Sequence, residues 1–372
     1  MSALQKKPPI RVMIVDDSAV VRGLLTRMIE ASNDIAVVAS VGNGKMAVEN
    51  LMKNEVEVVV LDIEMPVLDG LSALPQLIAQ DNAVRIIMAS TLTSRNADIS
   101  LRALQAGAVD YIPKPSSSRE MSGGQAFSEE LITKIRTHGE ARRKVKGLPT
   151  SEISLTRPAR LATNTAPKKV ELRKATLKGK PEVIAIGSST GGPQALFSVL
   201  KGLYGKTTLP IVITQHMPAT FTKILSEHIN RMTGWKCQEA TDGLTVEAGN
   251  VYLAPGDYHM VVESVGLQKI LRLNQDPPEN FCRPAVDPMF RSVAKAYNGK
   301  VMAIILTGMG SDGLKGSRVV IDHGGDLIGQ DEETSVVWGM PGAVAQGGLC
   351  SAVLPIQEIP LYIIKAASGG LS

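Results

Sequence analysis

The chain has 372 residues, 44% hydrophobic and 20% charged, enough for two or three domains of about 150 residues with separate cores. No run approaches the roughly 18 apolar residues of a membrane span. The N-terminal stretch Met1-Ser2-Ala3-Leu4-Gln5-Lys6-Lys7-Pro8-Pro9 lacks the apolar centre of a signal peptide, so a cytoplasmic protein without membrane insertion is expected. The net charge of +4 is unevenly spread: residues 141–180 hold twelve Lys/Arg and two acids, which leaves the remainder at −6. Cys237, Cys282 and Cys350 have neither metal nor disulfide spacing and read as ordinary core or surface positions in a reducing compartment.

Through residue 140, short β-branched runs alternate with helical stretches. The pattern predicts strands over Ile10–Val15, Ile35–Val41, Val56–Leu61, Val84–Ala89 and Val109–Ile112. Helices are predicted to start near Ser18, Asn43, Gly70, Ser94 and Ser128. Five β/α units imply a doubly wound parallel sheet, whose function gathers at the carboxyl ends of the strands. Those ends carry Asp16-Asp17, Asp62, Ser90-Thr91 and Lys114. Single aspartates at strand ends commonly cap helices. Three carboxylates on one edge repel one another unless a cation joins them, and hard oxygen ligands suit Mg²⁺ beside a phosphate. A hydroxyl and a lysine complete a phosphoryl site.

Val15-Asp16-Asp17-Ser18, Leu61-Asp62-Ile63-Glu64-Met65-Pro66-Val67-Leu68-Asp69-Gly70 and Ala108-Val109-Asp110-Tyr111-Ile112-Pro113-Lys114-Pro115 resemble the signature blocks of response-regulator receiver domains. The resemblance implies a flavodoxin-like fold with Asp62 as phospho-acceptor. It implies Asp16, Asp17 and Asp62 as Mg²⁺ ligands with the backbone carbonyl of Glu64. Ser90 and Lys114 would contact the phosphoryl group, and Tyr111 would be the rotating aromatic.

Residues 141–180 lack helical or strand period and are rich in Pro, Thr and Ala, which reads as a basic flexible linker. A nucleic-acid or acidic-membrane tether is the alternative, but no aromatic residue is present to stack on bases.

From Pro181 the alternation resumes. The apolar run Pro181–Ile186 predicts a buried strand, Gly187-Ser188-Ser189-Thr190-Gly191-Gly192 a tight turn, and Pro193–Leu200 a helix with proline at its first position. Such a turn holds either a phosphate or a nucleophilic serine at a helix start. A second strand, Leu209–Thr214, ends in Gln215-His216, and a helix follows over Thr220–Arg231. Short strands follow over Val251–Leu253, His259–Ser264 and Leu267–Leu273, the last two forming a hairpin. Another buried strand, Val301–Leu306, runs into Thr307-Gly308-Met309-Gly310-Ser311-Asp312-Gly313. A serine, a histidine and an aspartate thus each follow a buried strand, the constellation needed for acyl transfer. The glycine turn around Met309 could offer N–H groups to an oxyanion. Gly187, Gly191 and Gly192 do not match the dinucleotide fingerprint, and no acid stands at the second strand's end. Spacing alone leaves Ser188 beside Ser189 as nucleophile and His259 beside His216 as base.

Ile186–Gly192, Thr214–Pro218, Val251–Met260, Arg283–Asp287 and Leu306–Gly313 are similar to the catalytic blocks of the chemotaxis protein-glutamate methylesterases, the CheB family, in which a receiver commonly comes first. Ser188 and Ser311 stand where that family commonly has alanine and asparagine. The resemblance implies Ser189 as nucleophile, His216 as base, Asp312 as orienting acid and the Met309 N–H in the oxyanion hole. It implies phosphorylation-regulated hydrolysis of glutamate γ-methyl esters on chemoreceptors, with deamidation of receptor glutamines. The histidine kinase CheA would be the phosphodonor, Mg²⁺ would serve the receiver alone, and no cofactor would serve ester hydrolysis. The expected architecture is α/β: a receiver over 1–140, a linker over 141–180, and a Rossmann-like catalytic domain with a β-hairpin over 181–372. A DNA-binding output is disfavoured because 181–372 shows β/α alternation and no compact helix-turn-helix ending. A catalytically idle phosphate sink or receptor adaptor is the alternative that sequence leaves open.

Overall fold

A computed structural model describes residues 8–91, 93–114, 125–147, 170–177 and 179–370. The chain divides into two compact units, Met1–Asn164 and Thr165–Ser372.

In the first unit, β1 (Ile10–Val15), β2 (Ile35–Val41), β3 (Val58–Asp62), β4 (Arg85–Thr91) and β5 (Asp110–Lys114) form one parallel sheet in the order β2-β1-β3-β4-β5. The helices are α1 (Ala19–Glu30), α2 (Gly44–Leu51), α3 (Gly70–Gln80), α4 (Ser94–Gln105) and α5 (Gln125–Val145). Ser18, Asn43, Asp69 and Thr93 cap the first four, each side chain accepting the N–H three residues on. Every residue of β3 is buried, as expected for a central parallel strand. On one sheet face Ile10, Val12, Ile14, Val58 and Val60 pack with Leu25 and Ile29 of α1 and Leu131 and Ile135 of α5. Each such side chain contributes about 1.5–3 kcal/mol on burial. The strand order reverses between β1 and β3, so the acids after β1 and at the end of β3 meet.

The basic segment differs from expectation at both ends. Residues 141–145 continue α5, and their charges are used in packing. Arg143 Nε donates to Glu57 at 2.6 Å, and Arg142 Nη2 to Asp81 at 2.5 Å. Near the other end, Arg173 pairs with Asp326 at 2.5 Å and donates to the Leu349 carbonyl at 2.7 Å. These pairings were invisible to a count of local charge, because the partners lie far off in sequence. Residues 148–169 and 178 of the expected linker lie outside the described residues, as does Pro115.

In the second unit the strands are β6 (Val183–Ser188), β7 (Ile211–Gln215), β8 (Lys236–Glu239), β9 (Asn250–Leu253), β10 (His259–Val265), β11 (Gln268–Asn274), β12 (Val301–Ile305), β13 (Asp326–Gln330) and β14 (Ala352–Leu354). The helices are α6 (Gly192–Leu203), α7 (Ala219–Thr233), α8 (Val286–Ala296), α9 (Leu314–Asp322), α10 (Met340–Gln346) and α11 (Ile359–Ser368). Seven strands form a parallel sheet in the order β14-β13-β12-β6-β7-β9-β8, and β10 and β11 form an antiparallel hairpin. Met260, Val262 and Leu271 of the hairpin pack with Met289, Phe290 and Val293 of α8. No helix among the described residues is long and apolar enough to cross a membrane.

Candidate active site

β6 is buried along its whole length and lies between β7 and β12. Gly187 and Ser188 of β6 face Thr214 and Gln215 of β7, and Gly187 faces Ile305 of β12. The loops after these three strands therefore open at one edge of the sheet. Ser189 follows β6, His216 follows β7, and Asp312 lies in the loop after β12. The chain turns from β6 into α6 through Gly191, at φ 76°, with no side chain capping the helix start. The helix begins at Gly192, one residue earlier than expected, and Pro193 is its second residue.

The two serines differ. Ser188 is fully buried, and its Oγ donates to Gln215 Oε1 at 2.7 Å. Ser189 is half-buried, and among the described residues its Oγ has no hydrogen-bond partner. Its backbone is held on three sides: its N–H donates to the Thr307 carbonyl at 3.0 Å, and its carbonyl accepts from Gly192 N at 2.7 Å and Gln215 Nε2 at 2.9 Å. Gln215 is the fastener of this turn, since Nε2 also donates to the His216 carbonyl at 3.2 Å. Its amide lies so close to Gly192 that a Cβ there would overlap Oε1.

His216 Nε2 donates to Asp312 Oδ2 at 2.8 Å, and Cys282 Sγ lies 3.4 Å from Nδ1. Asp312 is buried and accepts from Val286 N at 2.6 Å, Asp287 N at 3.2 Å, Gly313 N at 2.9 Å and Asn280 Nδ2 at 2.8 Å. Burial pushes the Asp312 carboxyl upward, but the bond and charge of His216 and the backbone donors outweigh it and hold the pKa below the usual value. Burial likewise opposes a charge on His216. The hydrogen bonds with Asp312 and Cys282 outweigh it, and the imidazole pKa is raised.

The rival histidines are engaged elsewhere. His259 is buried, with Nδ1 accepting from Ala285 N at 3.2 Å and Nε2 facing the Pro277 carbonyl at 3.2 Å. His228 lies against Arg231, and His323 against the Val319 carbonyl. The Gly308 N–H donates to the Val337 carbonyl at 3.0 Å, and its carbonyl accepts from Met340 N at 2.8 Å. The next N–H, of Met309, has no acceptor among the described residues, as an oxyanion donor requires.

Asn280, Cys282 and Gln215 were not read as site residues. Gln215 adjoins His216 in the sequence and could have been suspected. Cys282 touches the imidazole rather than occupying an ordinary position, and no local pattern announces it.

In the first unit, carboxylate oxygens of Asp16, Asp17 and Asp62 all lie within 4.8 Å of one another. Lys114 Nζ is 2.6 Å from both Asp16 Oδ2 and Asp62 Oδ1. Burial raises the Asp62 pKa to about 6; Lys114 opposes this, and the neighbouring Asp16 charge adds to it. Three clustered acids with one exposed member fit a hard divalent cation that keeps part of its water, so the set suits Mg²⁺. Ser90 is buried, its Oγ 3.1 Å from Ser100 Oγ, while exposed Thr91 accepts from Asn96 at 2.7 Å. Glu64 turns its side chain out toward Arg95, 4.0 Å away. Tyr111 is buried, with Lys134 Nζ 5.4 Å from its ring centre. Gly70 lies against the Asp62 carbonyl, where any Cβ would overlap the backbone.

The profile of the CheB methylesterase family matches residues 184–363, and that of the response regulator receiver domain matches residues 12–123. The chain is 58% identical over 368 residues to protein-glutamate methylesterase/protein-glutamine glutaminase 1 of Paramagnetospirillum magneticum, covering 96% of each chain. It is 58% identical over 367 residues to the protein-glutamate methylesterase/protein-glutamine glutaminase of Azospirillum brasilense, covering 97% of this chain and 93% of that one. Among solved structures, the CheB methylesterase catalytic domain of Thermotoga maritima is 41% identical, with a TM-score of 0.49, covering 50% of this chain and 98% of that one. With end-to-end identity of this order to such relatives, the chain belongs to the CheB family of protein-glutamate methylesterases/protein-glutamine glutaminases.

Proposed function

We propose that the chain hydrolyses glutamate γ-methyl esters on methyl-accepting chemoreceptors, and deamidates receptor glutamines, under control of phosphorylation at Asp62. The observation that carries this reading is the His216–Asp312 bond of 2.8 Å at the same sheet edge as Ser189, whose hydroxyl has no partner among the described residues. The receiver runs through α5, the catalytic domain occupies 181–372 with Arg173 packed onto it, and the basic linker joins them in sequence.

Ser189 Oγ attacks the ester carbonyl and passes its proton to His216. Nε2 is held by Asp312, so Nδ1 is the nitrogen that takes it once the ring leaves Cys282. The carbonyl oxygen becomes an oxyanion facing the Met309 N–H. Collapse expels methanol, which takes the proton from His216, and leaves a glutamyl-serine ester. Water then attacks with His216 again as base, freeing the carboxylate and Ser189. A glutamine amide follows the same path and releases ammonia.

In the receiver, Asp16, Asp17 and Asp62, with the Glu64 carbonyl, would hold Mg²⁺, whose charge offsets that of a phosphoryl group. Asp62 accepts that group from a histidine kinase of the CheA type, and Ser90 and Lys114 bind its oxygens.

The test is methanol release from methylated receptor membranes with Mg²⁺ and a small phosphodonor. Ser189→Ala should lower kcat by about three powers of ten or more. Turnover near that of the wild type in this variant would overturn the assignment.

A further inference from the structure

Residues 279–282 make a tight turn at the rim of the site. Glu279 N donates to the Cys282 carbonyl at 3.1 Å, and Cys282 N to the Glu279 carbonyl at 2.9 Å. The central residues, Asn280 and Phe281, have φ of 52° and 64°. Two positive φ values mark the type I′ turn, whose second central position favours glycine. A phenylalanine there is strained, because its Cβ crowds the backbone.

The turn is fastened from beneath. Asn280 Nδ2 donates to Asp312 Oδ1 at 2.8 Å and to Asp287 Oδ2 at 3.0 Å. Glu279 takes two bonds from Arg291, at 2.9 and 2.5 Å. Cys282 touches His216. Three of the four side chains are therefore tied down, two of them directly to the catalytic pair. Phe281, the fourth, is 103% exposed, unsurpassed among large hydrophobic side chains of the described residues. Folding gives no reason for it: the backbone there favours glycine, and the ring gains nothing from water. Strained, exposed side chains held by over-determined surroundings are found where function uses them.

We propose that Phe281 is a specificity-determining residue that seats the substrate, its ring lying against the apolar flank of the helix that carries the glutamyl γ-methyl ester. This rests on the methylesterase reading above. The turn places the ring one residue from Cys282, which touches His216, so a helix presenting its ester to Ser189 passes beside it. The ester methyl and other apolar groups beside it are suitable company for an aromatic face.

The full chain tests this through Phe281→Gly and Phe281→Trp. Glycine suits the turn, so the first variant should melt a few degrees higher than wild type. Its KM for methylated receptor membranes should rise tenfold or more with kcat within threefold, and tryptophan should restore KM. The loss in kcat/KM on membranes should exceed by tenfold any loss in the rate at which a small fluorophosphonate labels Ser189. A wild-type KM in Phe281→Gly, or equal losses on membranes and probe, would overturn the proposal alone. Wild type that is labelled by the probe yet releases no methanol would overturn the methylesterase reading, and this one with it.

Discussion

Asp312→Asn tests how the site holds its base. Both carboxylate oxygens are fully committed: Oδ2 accepts from His216 Nε2 and Val286 N, while Oδ1 accepts from Asn280 Nδ2, Asp287 N and Gly313 N. An amide nitrogen in either place confronts donors with a donor. If it faces His216, the ring must expose a lone pair at Nε2 and carry its proton on Nδ1, the atom that should receive one from Ser189. Loss of the correct tautomer costs about four powers of ten in kcat in such triads, or about 5–6 kcal/mol of transition-state stabilisation at 1.36 kcal/mol per decade. Because a base must be neutral, the raised His216 pKa places the acid limb of wild-type kcat/KM above the usual histidine range. The variant's limb should move to lower pH. Stability follows the same pair. The His216 contribution is complete below its unfolded value of about 6.5 and lost as pH rises through the higher folded value; that of Asp312 is complete above about 3.9 and lost as pH falls through the lower one. The melting-temperature gap between wild type and variant should thus be widest between about pH 4 and 6.5. Methanol release across pH, with thermal melts at each point, measures all three effects. Activity within tenfold of wild type, with an unmoved acid limb, would refute the role given to Asp312.

Two further outcomes are expected. In Gly192→Ala the new methyl would drive the buried Gln215 amide away from Ser188 and Ser189; lost buried hydrogen bonds should cost about 1–3 kcal/mol, read as a lower melting temperature, with activity falling alongside. Native protein treated with an alkylating agent near pH 8 should be labelled at Cys282 alone, inactivating it. Cys237 and Cys350 are buried, with their thiols pushed up to about 12, and should react only after unfolding, as mass spectrometry of the peptides would show.

Much of this architecture was legible because central parallel strands are continuous apolar runs. Ile10–Val15 and Ile35–Val41 coincide with β1 and β2. The strands bearing the site were found but cut short, since β6 runs on through Gly187-Ser188 and β4 through Ser90-Thr91, where small and polar residues break the apolar signal. The peripheral strands were missed for related reasons. β8 reads Lys-Cys-Gln-Glu at a sheet edge, β13 is opened by an aspartate and interrupted by Gly329, and β14 has only three residues. Helix α8 was hidden by Pro288, which its first turn tolerates. The Ser188–Ser189 choice lay beyond sequence spacing, because it depends on which side chain meets Gln215 across the β6–β7 pair.

The position of β6 at the middle of its sheet also governs when the site exists. β6 pairs through Ile184–Ser188 with β7, which follows soon after it, and through Val183–Gly187 with β12, which comes only after the hairpin and α8. During synthesis, His216 emerges before Asp312 and the Met309 turn have been made. Until they emerge, the growing chain has a serine and a histidine but no orienting acid, and β6 lacks one neighbour. A chain that stalls or is cleaved before Val301 would then be both inert and exposed along that strand, a ready target for chaperones and proteases. On the proposed mechanism, hydrolysis waits for β12 and the loop after it, since only then does His216 gain its acid.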